Sequence, residues 1–249
     1  MCCFSGPIKR VADTHLFARM GAQGNQVVIY SMTLDSKNDV AMILPIPVKA
    51  GSPEKSVRFI DLSGYPDFFV DLNYAFPRMG YGGAPKADRS APPAKLEIQS
   101  VGSFEASFVP TTGDFSRLDE RFRLPLKIWD NIPSYADYGF VVFKLKAGNA
   151  RVHPMAFSFP TRDTSRLFFP TVHIHDGKIH ATAGFDHALY CQGALAGATK
   201  WQESPNLVRD SVKTKLTQGT VLPDRHVFRY ELRGRFKNED VWVPLRPNA

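Results

Sequence analysis

The chain has 249 residues, 43% of them hydrophobic and 12% aromatic, with 19 Phe; that is enough apolar material for a sizeable core and excludes a disordered chain. A formal net charge of +7 and a pI near 9.3 raise the question of an anionic partner, yet the basic residues form no run of five or six, so nucleic acid is not expected. No stretch reaches the about 18 consecutive apolar residues of a spanning helix, and three cysteines make no disulfide framework, so no membrane span and a cytoplasmic location are expected.

The chain opens MCCFSGPIKRVADTH, which lacks the apolar centre of a signal peptide. Thr14 to Met20, Gln26 to Leu34 and Val40 to Ile46 read as three strands separated by turn-forming stretches. The third is almost wholly apolar, as a strand buried on both faces would be, and its prolines are expected to end regular pairing. Val57 to Leu62 is a fourth strand. Tyr65 to Phe76 is the best helix: Pro66 suits the first turn, and Phe68, Phe69, Leu72 and Phe76 form an apolar stripe. Asp67 and Asp71 lie one turn apart on its solvated face.

Residues 77–94, PRMGYGGAPKADRSAPPA, are dense in Gly, Pro and Ala and read as an insertion loop within one domain spanning 1–249; a domain boundary near residue 85 is the alternative. Lys95 to Val109 alternates as a strand or hairpin, and Asp114 to Arg123 reads as a short helix. Gly139 to Lys146 and Val152 to Phe159 are further strands. After a weakly helical Ala194 to Asp210, Val221 to Phe236 and Asp240 to Val243 close the chain as a hairpin. Within it, Arg225 to Lys237 sends basic residues to one face of a strand and Phe228, Tyr230, Leu232 and Phe236 to the other. The expected fold class is α+β, mainly β, with roughly ten mostly antiparallel strands and two or three short helices.

The chemistry gathers between Leu167 and Cys191, a stretch that holds His173, His175, His180 and His187. Phe168 to His175 and Lys178 to Ala183 flank Asp176-Gly177, a strong signal for a two-residue hairpin turn. In that register His173 faces His180, and His173, His175 and His180 share one face, with Val172, Ile174, Ile179, Ala181 and Ala183 on the other. Three imidazoles on adjacent strands can hold a borderline ion, zinc before copper, with His187, Cys191, Cys2 or Cys3 as further ligands. A bound water at the open position would make the site a metal-dependent hydrolase, with Asp186 as base or as partner to an imidazole. The same histidines also suit the solvated face of a half-buried sheet. A three-residue turn would move His180 to the opposite face. His15, His153 and His226 read as structural. The substrate or small-molecule ligand and the oligomeric state are not legible here.

Two blocks, VVIYSMTLDSKNDVAMILPIPV with FFVDLNYAF, and VGSFEASFVPTTGDFSRL with YADYGFVVFKLKAG and MAFSFPTR, resemble an uncharacterised bacterial family known only as a domain of unknown function. The resemblance implies one continuous domain and no activity. Its members look exported, whereas this chain opens without a signal peptide, so localisation does not carry over.

The opening MCCFSGPIKRVADTHLFAR resembles that of choloylglycine hydrolases and penicillin V acylases, N-terminal nucleophile enzymes. On that resemblance Cys2, freed by removal of Met1, would be the nucleophile with its own amine as base, and Arg19 its supporting residue. The family's acidic residue after the arginine is absent, since Met20-Gly21-Ala22 follow. A non-catalytic binding module is the third reading.

Overall fold

Alternating and apolar runs become strands over most of the chain. The computed structural model describes residues 2–49, 51–76, 99–101, 104–118, 133–174, 180–197 and 199–247. The first part of the chain forms β1 (Cys2–Phe4), β2 (Arg10–Met20), β3 (Asn25–Ser36), β4 (Val40–Ile46), β5 (Arg58–Asp61) and one helix, α1 (Phe68–Tyr74). The middle part forms β6 (Gln99–Val101), β7 (Phe104–Val109), β8 (Gly139–Leu145), β9 (Gly148–Arg151) and β10 (Met155–Pro160). The last part forms β11 (Arg166–Phe169), β12 (His173–Ile174), β13 (Thr182–Gln192), β14 (Gln202–Glu203), β15 (Phe228–Lys237) and β16 (Val241–Pro244).

These strands build a six-stranded sheet in the order β12-β1-β4-β8-β7-β6 and an eight-stranded sheet β14-β15-β13-β2-β3-β10-β5, in which β9 also pairs with β3. β11 and β16 form a separate antiparallel pair. Two neighbours are parallel, β1 with β12 and β13 with β2. The protein is mainly β, and the strands outnumber the roughly ten expected because two-residue pieces such as β12 and β14 are too short to leave a periodic signal.

The main core lies between the two large sheets, where Leu16, Val28, Tyr30 and Leu189 meet Met42, Leu44, Val141 and Phe143. A second core forms on the other side of the eight-stranded sheet, where α1 lays Phe68, Phe69 and Leu72 against Phe17, Ile29 and Tyr190. A third covers the outer face of the six-stranded sheet with Phe115, Tyr135 and Val172 over Ala41, Ile43 and Phe140. β4 is buried at every position because its alternate residues enter the first and third cores. Pairing of β4 with β8 runs through Pro45 to Ile46 rather than ending there. The proline is tolerated because β1, the neighbour on its other side, pairs only as far as Ile43 and so needs no donor from it.

The expected turn at Asp176-Gly177 lies outside the described residues, as do residues 77–94 and the second half of the helix expected at Asp114 to Arg123, whose first half lies in a short 3-10 helix, Thr112–Arg117. What is described of the two expected hairpin arms lies in different sheets: His173 and Ile174 lie beside β1, while Thr182 and Ala183 pair with β15. His173 and His180 are therefore not cross-strand partners. The closing hairpin is likewise replaced, since β15 pairs with β13 and β16 with β11. No helix among the described residues is long and apolar enough to cross a membrane.

Candidate functional site

The site sits where the edge of one sheet meets the middle of the other. β12 supplies His173, held at its backbone by Asn238: the His173 N–H donates to Asn238 Oδ1 at 2.7 Å, and Asn238 Nδ2 donates back to the His173 carbonyl at 2.9 Å. The same Nδ2 reaches the His180 carbonyl at 3.0 Å, so one amide fixes both histidine segments. β13 supplies Phe185, Asp186 and His187. The side chain of His187 is 1% exposed, and its Nε2 stands 3.1 Å from Nε2 of His173. The rings of His173 and Phe185 pack with centroids 4.5 Å apart.

A bulge in β2 completes the arrangement. Pairing of β2 with β3 shifts between Ala12 and His15, and Asp13 takes a positive φ of 56°, which turns its N–H out of the ladder. That N–H donates to Asp186 Oδ2 at 2.7 Å. The Asp13 carboxylate accepts from Arg151 at 3.0 Å and lies 3.4 Å from His15 Nε2; these partners outweigh partial burial and hold its pKa far below the usual range. Burial alone would raise the Asp186 pKa, but the neighbouring His187 and the Asp13 N–H hold it below the ordinary value. Burial also depresses the pKa of His187, so its imidazole is neutral near pH 7. Its Nδ1 lies 3.6 Å from Asp186 Oδ1, too far for a hydrogen bond, and has no other partner.

A cavity of about 570 Å³ opens in front of this group, lined by Val11, Thr14, His173, His180, Thr182, Ala183, Gly184, Asp186, Arg235 and Asn238. Thr14 is the register partner of His187, is fully buried, and its Oγ1 makes no hydrogen bond. Arrangements of this kind, with two neutral-capable imidazoles and a carboxylate behind one of them, can hold a cation or relay a proton.

Of the residues singled out from sequence, His173 and His187 are brought together, and His180 is exposed at the cavity wall. His175 lies outside the described residues. Cys191 lies four residues along β13 from His187, about 13 Å at strand rise, and packs into the core between the sheets, where burial pushes its thiol pKa up. Cys2 is the backbone register partner of His173, whereas Cys3 is fully buried in the outer core. Arg19 stands at the far end of β2, its guanidinium donating to the carbonyls of Met20, Gly219 and Thr220. Among the described residues no group of three His, Cys, Asp or Glu side chains converges as a ligand set. Asp13, Thr14 and Asn238 were not legible as site residues, because a bulge and a loop from distant parts of the sequence deliver them.

The architecture is a pair of large, mostly antiparallel sheets packed face to face. The chain is similar over its whole length to crystal structures of baculovirus P35. One of them matches with a TM-score of 0.51 at 13% identity, covering 99% of this chain and 100% of that one. A mutated baculovirus P35 solved after caspase cleavage matches with a TM-score of 0.50 at 12% identity, covering 94% of this chain and 100% of that one. P35 in its complex with caspase-8 gives a TM-score of 0.46 at 10% identity, over 94% of this chain and 96% of that one. No family model matches the chain. These findings correct both sequence resemblances: the fold is neither that of an N-terminal nucleophile hydrolase nor evidence for the uncharacterised bacterial family. Under twenty residues carried the first, and the second rested on strand alternation that many antiparallel sheets share.

Proposed function

We propose that this chain works by binding another protein, and that its partner is a cysteine peptidase of the caspase type. The observation that carries this reading is the end-to-end likeness to baculovirus P35, which includes a form solved after caspase cleavage. Two features of the chain agree with it. The described cysteines, Cys3 and Cys191, are buried free thiols, as in a protein kept in the reducing cytoplasm where such a partner would be met. The Gly/Pro-rich sequence between α1 and β6, residues 77–94, contains one aspartate, Asp88. Caspases cut after aspartate, so one bond there suits them.

The test is inhibition. Purified chain is added to a panel of active caspases at rising molar ratio, and residual peptidase activity and the intact mass of the chain are read together. Loss of activity near one equivalent, with a cut after Asp88 that Asp88→Ala prevents, is the expected result. Full activity of every caspase in tenfold excess of uncut chain overturns the reading.

A second reading, a bound metal ion, is favoured by the 3.1 Å approach of His173 and His187.

A further inference from the structure

One edge of the eight-stranded sheet is left open. β15 pairs with β13 along its whole length, from Phe228 opposite Cys191 to Lys237 opposite Thr182, but on its other side β14 meets it only at Phe228 and Arg229. From Tyr230 to Phe236, about 23 Å at strand rise, the backbone groups on that side have no hydrogen-bond partner among the described residues. Glu231, Arg233, Gly234, Arg235 and Phe236 are exposed along it. An open edge of this length is a template for a further strand.

The side chains define what that strand carries. Alternation puts Tyr230, Leu232, Gly234 and Phe236 on the face toward the core, with Leu189, and Glu231, Arg233, Arg235 and Lys237 on the other. Arg235 makes no hydrogen bond or ion pair among the described residues, and opposite it on β13 stands Gly184, with no side chain to answer it. Arg233 pairs with Glu231 and Lys237 with Glu239, both exposed pairs worth little, so either cation is available to a better partner. On the core-side face Gly234 leaves a gap: a side chain begun there would first meet the ring of Phe236, 3.7 Å away, and Phe236 is itself 38% exposed. Glycine inside a strand often marks close approach by another backbone. A second copy pairing over the whole open edge would centre on Arg233 and set it against its own counterpart, between chains that each carry +7. A strand with acidic residues at alternate positions meets Arg233, Arg235 and Lys237 together.

We propose that the open edge of β15 is a docking site for an extended segment of another protein, which adds as a strand and carries acidic residues opposite Arg233, Arg235 and Lys237. Main-chain hydrogen bonds to the edge supply affinity, and the alternating side chains supply the choice of partner, with an apolar residue of the guest seated beside Phe236 in the gap at Gly234. The surface does not depend on the peptidase reading, which rests on the fold.

The experiment titrates full-length protein against a fluorescent peptide of alternating glutamate and valine as long as the open edge. Binding is read by anisotropy, and the β15 amides by hydrogen exchange. The expected result is saturable binding that weakens with added salt and slows exchange at amides between Tyr230 and Phe236. Arg235→Glu, which alters an exposed side chain without partners, should weaken binding about tenfold while leaving the circular dichroism spectrum unchanged. A peptide of the same composition with its glutamates and valines in two blocks should bind more weakly than the alternating one. No saturable binding by the parent, or binding that leaves β15 exchange unchanged, overturns the docking site. Equal binding of the block peptide, or equal competition by a single-stranded oligonucleotide, would reduce the edge to a surface for any polyanion and overturns strand addition. A parent dimer that protects the same amides would assign the edge to a second copy and overturns the acidic guest.

Discussion

Asp240 and His187 occupy neighbouring polar clusters at the two ends of the β12 segment, and only one of them is complete. The Asp240 carboxylate accepts N–H bonds from Thr171 at 2.8 Å and Val172 at 3.0 Å, and the hydroxyl of Tyr135 on its other oxygen. Thr171 Oγ1 in turn donates to the Glu239 carbonyl at 2.8 Å and accepts from the Val241 N–H at 3.0 Å. Around His187 the Nδ1 atom and the neighbouring Thr14 hydroxyl have no such partners. A closed network fixes the chain in one arrangement, whereas a buried group left open is expensive unless something else completes it. Asp240 is thus a staple, and His187 belongs to a site.

The largest effect should come from breaking the closed network. Asp240→Ala strands Tyr135 Oη and two backbone N–H groups, and at about 1–3 kcal/mol for each lost partner the expected loss is about 4 kcal/mol by urea denaturation. Asp240→Asn keeps an acceptor and should lose less than half of that. Arg19 offers the next test, since its three carbonyl contacts make it a second closed cluster. Arg19→Met should cost about 2 kcal/mol, discounted for its partial exposure. A neutral result would show that these three contacts add nothing to stability.

The pH dependence follows from burial. The folded-state pKa of His187 lies below its unfolded value, and that of His153 does too, in each case because burial disfavours the charged ring. Stability from these groups is present above the unfolded histidine value, about 6.5, and is lost as pH falls through it toward the folded values. Between pH 7 and 5 the parent should lose more stability than His187→Phe, read from urea midpoints at each pH. Equal pH slopes would show that His187 titrates normally.

The smallest effect is the sharpest for the comparison. At a pH about one unit above the ordinary imidazole value, where the ring is neutral, His187→Phe should change stability by less than about 1 kcal/mol, because the ring it replaces has an unmatched nitrogen. A loss as large as that of Asp240→Ala would mean the histidine pair is itself a closed structural network.

Much of the architecture was readable from short-range pattern. The apolar run of β4 announced a strand buried on both faces, and Phe68, Phe69 and Leu72 announced the buried stripe of α1. The expected hairpin face of His173, His175 and His180 does not form as read, and the fold instead sets His173 3.1 Å from His187. Their companions were hidden because Asn238 and Thr14 are delivered by segments far away in sequence, and neither carries a local signal of its role. The resemblance of the opening residues to hydrolases failed because a strand ending in Phe-x-Arg is compatible with many sheets, and here Arg19 ties down the turn at Gly219 and Thr220.

By itself the sequence determined a β-rich chain with an apolar central strand, an amphipathic helix and a histidine-bearing segment, because alternation and composition act over a few residues. Only the tertiary structure decided that β12 lies parallel to β1, which puts His173 beside Cys2, and that β13 runs between β2 and β15. Parallel neighbours cannot be joined by a tight turn, so their pairing is chosen by burial across the whole fold and leaves no mark in the local pattern.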